Sequence, residues 1–275
     1  MLNPAQIILG VLLAALVAYA AYRLRSLDRG GALAAFLLGV VVFGLGGLPW
    51  AVVLMTFFIT SSGLSRVLKH RKQELEQDFA KGARRDAGQV AANGGLAGLA
   101  ALASIFWPQS VIPWVLFSAV FAAANADTWA TELGVFSRAW PRSIRSWQRV
   151  PPGTSGAISP AGSLAAVGGS SLIALAALLF WPFKETLLLD RVVLGLIIAG
   201  AGFIGSLVDS LLGATLQAIY WCPQCAKETE KTPLHTCRTP TTLLRGWKWM
   251  NNDVVNFLCT ASSAMLAVLL TTLAL

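Results

Sequence analysis

The fold is decided by residues 30–65, which read GGALAAFLLGVVVFGLGGLPWAVVLMTFFITSSGLS and contain no charged side chain. A helix needs about 20 apolar residues to cross the hydrocarbon core of a bilayer. Gly44, Gly46, Gly47 and Pro49 interrupt the stretch near its middle, and glycine and proline mark breaks between helices. The stretch therefore predicts two short membrane spans.

The composition of the whole chain also indicates a membrane protein. Of its 275 residues, 56% are apolar and 12% are charged, and the mean hydropathy is +0.65. Soluble domains carry about 25% charged residues and cannot hide this much apolar surface from water. Disordered, fibrous and secreted disulfide-rich classes are excluded, the last because the chain has four cysteines. The chain is thus predicted to be an all-α, polytopic membrane helix bundle.

Further uncharged stretches predict the remaining spans. Residues 1–22 carry no charge, and residues 87–126 carry none on either side of a turn at 107–113. Three more spans are predicted over about 161–181, 191–219 and 254–274, which gives eight helices in one domain over residues 1–275. A cleaved signal peptide is the alternative for residues 1–22. A retained helix is favoured, because the basic residues follow the apolar run.

The basic residues are concentrated in alternate loops. Loops 23–29, 66–86, 138–150 and 220–250 hold 19 of the 21 Lys and Arg residues. Positive loops stay in the cytoplasm, so both termini are predicted to lie outside. The short loops favour a prokaryotic plasma membrane. Because this topology accounts for most of the net charge of +8, no nucleic-acid partner is expected.

Three carboxylates, those of Asp127, Glu132 and Asp209, lie inside predicted spans. An ionisable group at mid-bilayer costs at least about 2.5–3.5 kcal/mol, so such residues usually mark a functional site. Helical periodicity places Asn125, Asp127 and Glu132 on one half of their helix. Asp209 lies on a narrow stripe of small and polar residues that ends at Gln217. Small-residue packing between helices, with protonated carboxyls that hydrogen-bond across it, is the alternative.

Other polar residues enter the spans from the same, cytoplasmic side. They precede or begin the fourth and eighth predicted spans: Arg84, Arg85, Asp86, Asn93, Asn252, Asp253 and Asn256. Carboxylates with neighbouring arginines, such as Arg149, suit a magnesium-bound polyphosphate. We therefore expect a polar cavity that opens to the cytoplasm.

The segment Gly153-Thr154-Ser155-Gly156 lies just before the sixth predicted span. The N–H groups of such a loop and of the following helix can bind a phosphate. It matches neither a Walker loop nor a dinucleotide-binding motif, and an ordinary loop with a helix cap is the alternative.

A second group of residues has metal-ligand spacing. Cys222-Pro223-Gln224-Cys225 is followed by His235-Thr236-Cys237 within the predicted loop 220–250. Three thiolates and an imidazole would form a structural zinc site, and a loop without metal is the alternative. A disulfide is disfavoured in the reducing cytoplasm, and Cys259 is expected to be a small apolar packing residue.

Five segments share a pattern that covers the chain from the first predicted helix to the last. They are Arg85–Val90 with Asn93–Gly95, Asn125–Gly134, Gly153–Gly156, Gly205–Ser210 and Asn252–Asn256. These segments resemble the integral membrane family called domain of unknown function 92. The family includes a plant kinase that converts phytyl phosphate to the diphosphate. A shorter likeness, over Asp127, Ala130 and Gly134, is to nucleotide-dependent phytol and dolichol kinases.

The resemblance implies a membrane kinase that transfers a phosphoryl group from CTP or another nucleotide to an isoprenyl monophosphate. Asp127 and Asp209 would bind Mg²⁺, with Asn125 and Glu132 orienting them. The phosphates would be held by Arg85, Arg149 and the 153–156 segment.

A transporter or lipid flippase could use the same carboxylates for protons or ions. The polar residues, however, cluster toward one face of the membrane, which favours a one-sided catalytic cavity. A scaffold that recruits partners through the cysteine loop would leave the carboxylates unexplained.

Overall fold

The computed structural model describes residues 3–72 and 84–275. The molecule is mostly helical (66%). The described ranges contain eight α-helices: α1 (Pro4–Arg23), α2 (Arg29–Val41), α3 (Gly47–Lys72), α4 (Ala87–Ala103), α5 (Ile112–Gly134), α6 (Pro160–Leu179), α7 (Leu188–Thr215) and α8 (Asn252–Ala274). A π-helical segment, Val42–Gly46, joins α2 to α3. Most of the predicted loop 66–86 lies outside the described residues.

The starts of four helices are specified by capping side chains. Asp28, Asp86, Ser159 and Asn251 each precede a helix and accept a hydrogen bond from the backbone N–H three residues later, over 2.7–3.1 Å. These side chains satisfy N–H groups that the first turn of a helix leaves unpaired.

The uncharged stretch 30–65 folds as a helical hairpin. At one end of α1, the Gln6 side-chain amide donates to the carbonyl of Gly44, over 3.1 Å. At the other end, the Arg66 guanidinium donates to the carbonyl of Leu24. The chain therefore runs along α1 to Gly44 and returns along α3, and Gly47, with φ of +70°, lies at the reversal. Glycine adopts this backbone conformation without the clash that a Cβ atom causes.

Within the described residues, five stretches are long and apolar enough to cross a membrane. They are α1, residues 29–68, α6, α7 and α8. Residues 29–68 include both arms of the hairpin, whereas α4 and α5 fall outside this set. The chain is thus a helical membrane protein, and the count of eight spans and the compartment of the termini stay predictions.

Helix α5 lies at the centre of the bundle, where it contacts α3, α4, α6, α7 and α8. Its first half is fully buried from Pro113 to Val115 and from Phe117 to Ala126. The rings of Trp114, Phe117 and Phe121 pack with Trp50 and Phe57 of α3, at centroid distances of 4.6–5.2 Å for the pairs between the helices. The polar second half of α5 is therefore held by an aromatic core at its other end.

Glycines allow α7 to approach α5 closely. A Cβ atom on Gly202 would lie 2.6 Å from the Cβ of Ala122, and one on Gly205 would lie 2.9 Å from the Cβ of Ala123. Membrane helices use small residues in this way, because close backbones gain van der Waals contact.

Two small sheets make the all-α prediction incomplete. β1 (Arg142–Ser143) pairs with β2 (Ala157–Ile158), and β3 (Ile219–Cys222) lies between β4 (Lys227–Thr229) and β5 (Thr242–Arg245). Both form in loops predicted as irregular, where backbone groups outside the helices pair with one another.

Helix α7 ends at Thr215 rather than near residue 219. Asp209 is therefore six residues from the end of its helix, about 9 Å at 1.5 Å per residue, which is shallower than the helix predicted over 191–219 would place it. Gln217 lies beyond the helix and is buried, so it is absent from the helical stripe on which it was predicted.

We predict that Gly202→Ala lowers the thermal unfolding temperature in detergent by several degrees. The added methyl overpacks the contact with α5, and overpacking costs about 1–3 kcal/mol. Gly200→Ala on the same helix is the matched control, because its Cβ would meet nothing within 4 Å. Equal unfolding temperatures for the two variants would show that the close approach of α5 and α7 contributes nothing to stability.

Candidate active site

A cavity of about 430 Å³ lies at the end of the bundle where the predicted cytoplasmic loops meet. Its walls come from the second halves of α5 and α7, the first turns of α4 and α8, and the loop 152–159. Small-molecule sites commonly measure about 300–1,000 Å³, so the space suits a ligand of moderate size.

Four carboxylates line this cavity: Asp127, Glu132, Asp209 and Glu230. Asp209 interacts electrostatically with Asp127 across the α5–α7 contact, and also with Glu230. Its Oδ2 atom is buried and has no hydrogen-bond partner among the described residues. A buried carboxylate oxygen without a partner is costly, and a bound cation or a proton would remove that cost.

Glu132 is fixed by α3, whose Ser65 hydroxyl donates to its Oε1 over 2.8 Å. Arg85 also lines the cavity and interacts electrostatically with Glu132. The Arg85 guanidinium donates to the Ser62 hydroxyl over 3.2 Å and lies 5.3 Å from the centre of the Phe57 ring. Burial lowers the pKa of Arg85 to about 10, against an opposing effect from Glu132, so the group is cationic at neutral pH.

The loop Gly153–Gly156 forms another wall of the cavity. Gly156 has φ of +77° and lies against Ser210 and Ala214 of α7, where a Cβ atom would overlap the backbone. The Thr154 hydroxyl donates to the carbonyl of Pro151 over 2.8 Å. The loop then leads through β2 to the capped start of α6, so backbone N–H groups and a helix start border one space.

A hydrogen-bond chain joins this loop to the segment after β4. The Ser155 hydroxyl donates to Oε1 of Gln217 over 2.7 Å, and Nε2 of Gln217 donates to Oε1 of Glu230 over 2.8 Å. Gln217 is 3% exposed, so both bonds are shielded from water.

The structure brings most of the predicted site residues together. The cavity is lined by Arg85, Asn93, Asp127, Glu132, Gly153, Thr154, Ser155, Gly156, Asp209, Asn252 and Asn256. The predicted residues that do not line it are Asn125, Arg84, Asp86, Arg149 and Asp253.

Asn125 links three helices instead. Its Oδ1 accepts from the hydroxyls of Thr60 and Ser61, over 3.0 and 2.9 Å, and its Nδ2 donates to the carbonyl of Gly169 over 2.9 Å. The side chain is fully buried, and its polar atoms are committed to α3 and α6. Asn125 therefore points away from the cavity that Asp127, two residues later, enters.

The other predicted residues that do not line the cavity have local contacts or exposed positions that explain why they lie outside it. Asp86 caps α4 in a reciprocal capping box with Gln89. Asp253 packs against Gly88 at the start of α4. Arg84 and Arg149 are exposed, and Arg149 lies after a turn in which the backbone folds back on Ser143.

Two charged cavity residues were absent from the predicted set, Glu230 and Arg138. Arg138 follows α5 by four residues, so its position after a carboxylate-bearing helix was an available signal. Glu230 had no such signal, because it lies in the long loop after α7 and depends on how that loop folds.

A smaller apolar pocket of about 60 Å³ adjoins the cavity between α1, α2, α3 and α4. Its walls include Phe43, Phe57 and Phe121. Arg85, Gln89 and Asn93 border both spaces. A polar cavity and an apolar pocket with a shared border suit a ligand with a charged head and a hydrocarbon chain.

Cys222, Cys225, His235 and Cys237 form a compact group beside this site. Their ligand atoms all lie within 4.8 Å of one another. Hydrogen bonds from Thr239 and His235 lower the pKa of the Cys237 thiol to about 6, which favours its thiolate form.

The sequence model of the integral membrane protein family DUF92 matches residues 12–264. The chain belongs to this family. Protein PGR of Arabidopsis thaliana is 33% identical over 269 residues, which cover 92% of this chain and 91% of the plant protein. An uncharacterized membrane protein of Methanocaldococcus jannaschii is 31% identical over 217 residues, covering 77% of this chain and 84% of the archaeal one. No solved structure matches the chain.

A third relative in the comparison is an uncharacterized membrane protein of Synechocystis, 29% identical over 249 residues that cover 85% of this chain and 78% of its own. The predicted resemblance to the DUF92 family is thereby confirmed. The relatives come from a plant, an archaeon and a cyanobacterium. Membership in the family therefore identifies an integral membrane protein but does not specify which cellular membrane contains it.

We predict that Asn125→Ala destabilises the protein by about 1–3 kcal/mol, because it removes the buried hydrogen bonds that join α5 to α3 and α6. Thr128→Ala is the control on the same helix, since its hydroxyl bonds within α5 to the Ala124 carbonyl. Thermal unfolding of both variants in one detergent checks the prediction, which fails if Thr128→Ala is the less stable of the two.

Proposed function

We propose that this protein is a membrane kinase that transfers a phosphoryl group from a nucleotide, CTP or another, to an isoprenyl monophosphate. The observation that carries the proposal is the arrangement of the cavity. Two carboxylates on facing helices, an arginine and a glycine-rich loop border one space, and an apolar pocket continues from it.

Asp127 and Asp209 are the residues that we propose to hold Mg²⁺. Mg²⁺ commonly takes one or two carboxylates and completes its shell with phosphate oxygens and water, and the buried Oδ2 of Asp209 lacks another partner. Mg²⁺ held by these two carboxylates would supply positive charge that neutralises the nucleotide phosphates. Glu132, which accepts a hydrogen bond from Ser65, would help to orient these two carboxylates.

Arg85 and the loop Gly153–Gly156 would bind the phosphates from two sides. The acceptor is already an anionic phosphate oxygen, so the reaction needs no strong general base. Positioning and charge neutralisation would supply the catalysis, as they do in other phosphoryl transfers. Arg138, which also lines the cavity, adds a cation at its open side.

The isoprenyl chain would occupy the apolar pocket and the lipid beside it. Its phosphate would then meet Arg85 and Asn93, which border both spaces. We place the cavity on the cytoplasmic side of a prokaryotic plasma membrane, because 19 of the 21 basic residues lie in loops predicted on that side.

We predict that Asp127→Asn and Asp209→Asn each reduce phosphoryl transfer by at least about 100-fold while the protein still inserts and folds, because loss of electrostatic stabilisation costs several kcal/mol. The measurement is transfer of radiolabelled phosphate from a panel of nucleotides to phytyl or geranylgeranyl phosphate. Asp190→Asn is the control, since it changes the same charge at the opposite end of α7.

Near-normal transfer by both variants would contradict the assignment of Mg²⁺ to these residues. If the unmodified protein transfers no phosphate from any nucleotide, is not stabilised by nucleotide, and carries a proton-coupled flux in proteoliposomes, it is a transporter.

We predict that Arg85→Gln raises KM for the lipid phosphate by about 10- to 100-fold, because a hydrogen bond to a charged group contributes about 1.5–3 kcal/mol. Arg84→Gln is the matched control, because Arg84 is next to Arg85 in the chain but its side chain is exposed and lies outside the cavity. Initial rates at varied lipid phosphate measure the difference. Equal KM values for the two variants would place the lipid phosphate elsewhere.

A further inference from the structure

We infer that Cys222, Cys225, His235 and Cys237 bind one zinc ion, and that this ion holds Glu230 and Gln217 in the wall of the cavity. This metal site and its structural effect do not depend on which reaction the cavity performs.

The distances between ligand atoms suit tetrahedral zinc. Sγ of Cys222 and Cys237 are 3.5 Å apart, and Nδ1 of His235 lies 3.5 Å from Sγ of Cys225 and 3.3 Å from Sγ of Cys237. Zinc bonds of about 2.3 Å to sulfur and 2.0 Å to nitrogen at tetrahedral angles require separations of about 3.5–3.8 Å. Four protein ligands leave no open position, so the ion is structural.

The backbone places the ligands in two similar turns. Cys225 is followed by Ala226 with φ of +50°, and Cys237 is followed by Arg238 with φ of +67°. Residues other than glycine rarely adopt positive φ, and the conformation persists only where the surrounding structure requires it. In both turns the residue with positive φ directly follows a cysteine of the group. This position indicates that the conformation is required to place the cysteine ligands.

The segment 223–237, which carries three of the four ligands, has little else to stabilise it, whereas β3 is anchored by the buried side chains of Ile219 and Tyr220. Between Cys222 and Cys237, only Thr229 and His235 are otherwise buried. A short strand with few buried apolar contacts is marginal in water, and small folds of this kind use a metal as a substitute. A disulfide would join only two of the three thiols, and the cysteines are free in the structure.

The sheet is directly connected to the cavity. Glu230 follows β4 and accepts from Gln217, which in turn accepts from Ser155 of the glycine-rich loop. From β5, the Arg245 guanidinium donates to the carbonyl of Gly213 in α7 over 2.9 Å. Loss of zinc would therefore free Glu230, remove the acceptor of the Gln217 side-chain amide and loosen the contact of that side chain with Ser155.

The first test is the zinc content of the purified full-length protein, measured by elemental analysis and by cobalt substitution. We expect about one zinc per chain, a thiolate-rich tetrahedral cobalt spectrum, and loss of zinc in Cys225→Ser and His235→Ala. His235→Cys should retain zinc, because four thiolates also bind it. Cys259→Ser, which removes a cysteine outside the group, should retain it as well. A protein free of zinc after purification and zinc addition would overturn the inference.

The second test is hydrogen exchange of the intact protein in nanodiscs, with and without a zinc chelator. We expect removal of zinc to speed amide exchange in residues 219–245 and in residues 153–156, with no change in the middle of α6. Faster exchange confined to 219–245 would overturn the connection to the cavity. Neither test uses a nucleotide or lipid phosphate, so failure here is distinct from failure of the proposed kinase activity.

Discussion

The close approach of α5 and α7 is the contact on which the site depends. Gly202 and Gly205 bring the α7 backbone against Ala122 and Ala123, one helical turn before Asp127. Continued along both helices, this contact sets Asp209 opposite Asp127. A larger residue at either glycine would separate the backbones, and with them the carboxylates. The glycines thus serve packing and the site at once, and the two interpretations of the α7 stripe are not exclusive.

The cost of burying those carboxylates is reduced by where the helices end. Asp127 and Asp209 lie about 9–10 Å from the ends of their helices rather than at mid-bilayer. Both carboxylates line the polar cavity at that end of the bundle. Asn125, one half-turn deeper, has no access to the cavity, and its amide is satisfied by α3 and α6 instead.

Much of this arrangement could be predicted from the sequence. Segments that cross a membrane must form their backbone hydrogen bonds internally, as helices do, and such helices are recognisable as long stretches without charged residues. The helical hairpin followed from Gly44, Gly47 and Pro49, and the acids of α5 and α7 from their cost in a bilayer. Periodicity placed Asn125 wrongly, since half of a helix is too wide a range to separate a cavity from a neighbouring helix. Asp86 was readable as a capping residue, because Asp-x-x-Gln is a capping-box pattern. Glu230 depended on the fold of a long loop, and no local pattern specifies that.

That long loop is where the architecture departs from a plain helix bundle. Helices position side chains only along their own faces, so a bundle that is open at one end lacks a wall there. The segment from Ile219 to Arg245 closes part of this opening with a sheet, and Glu230 is the carboxylate it contributes. β3 is held to the bundle by the buried side chains of Ile219 and Tyr220, and β5 by the hydrogen bond from Arg245 to Gly213, whereas the segment that carries Glu230 has few buried apolar contacts. The zinc ion that we propose would add rigidity to that part of the wall.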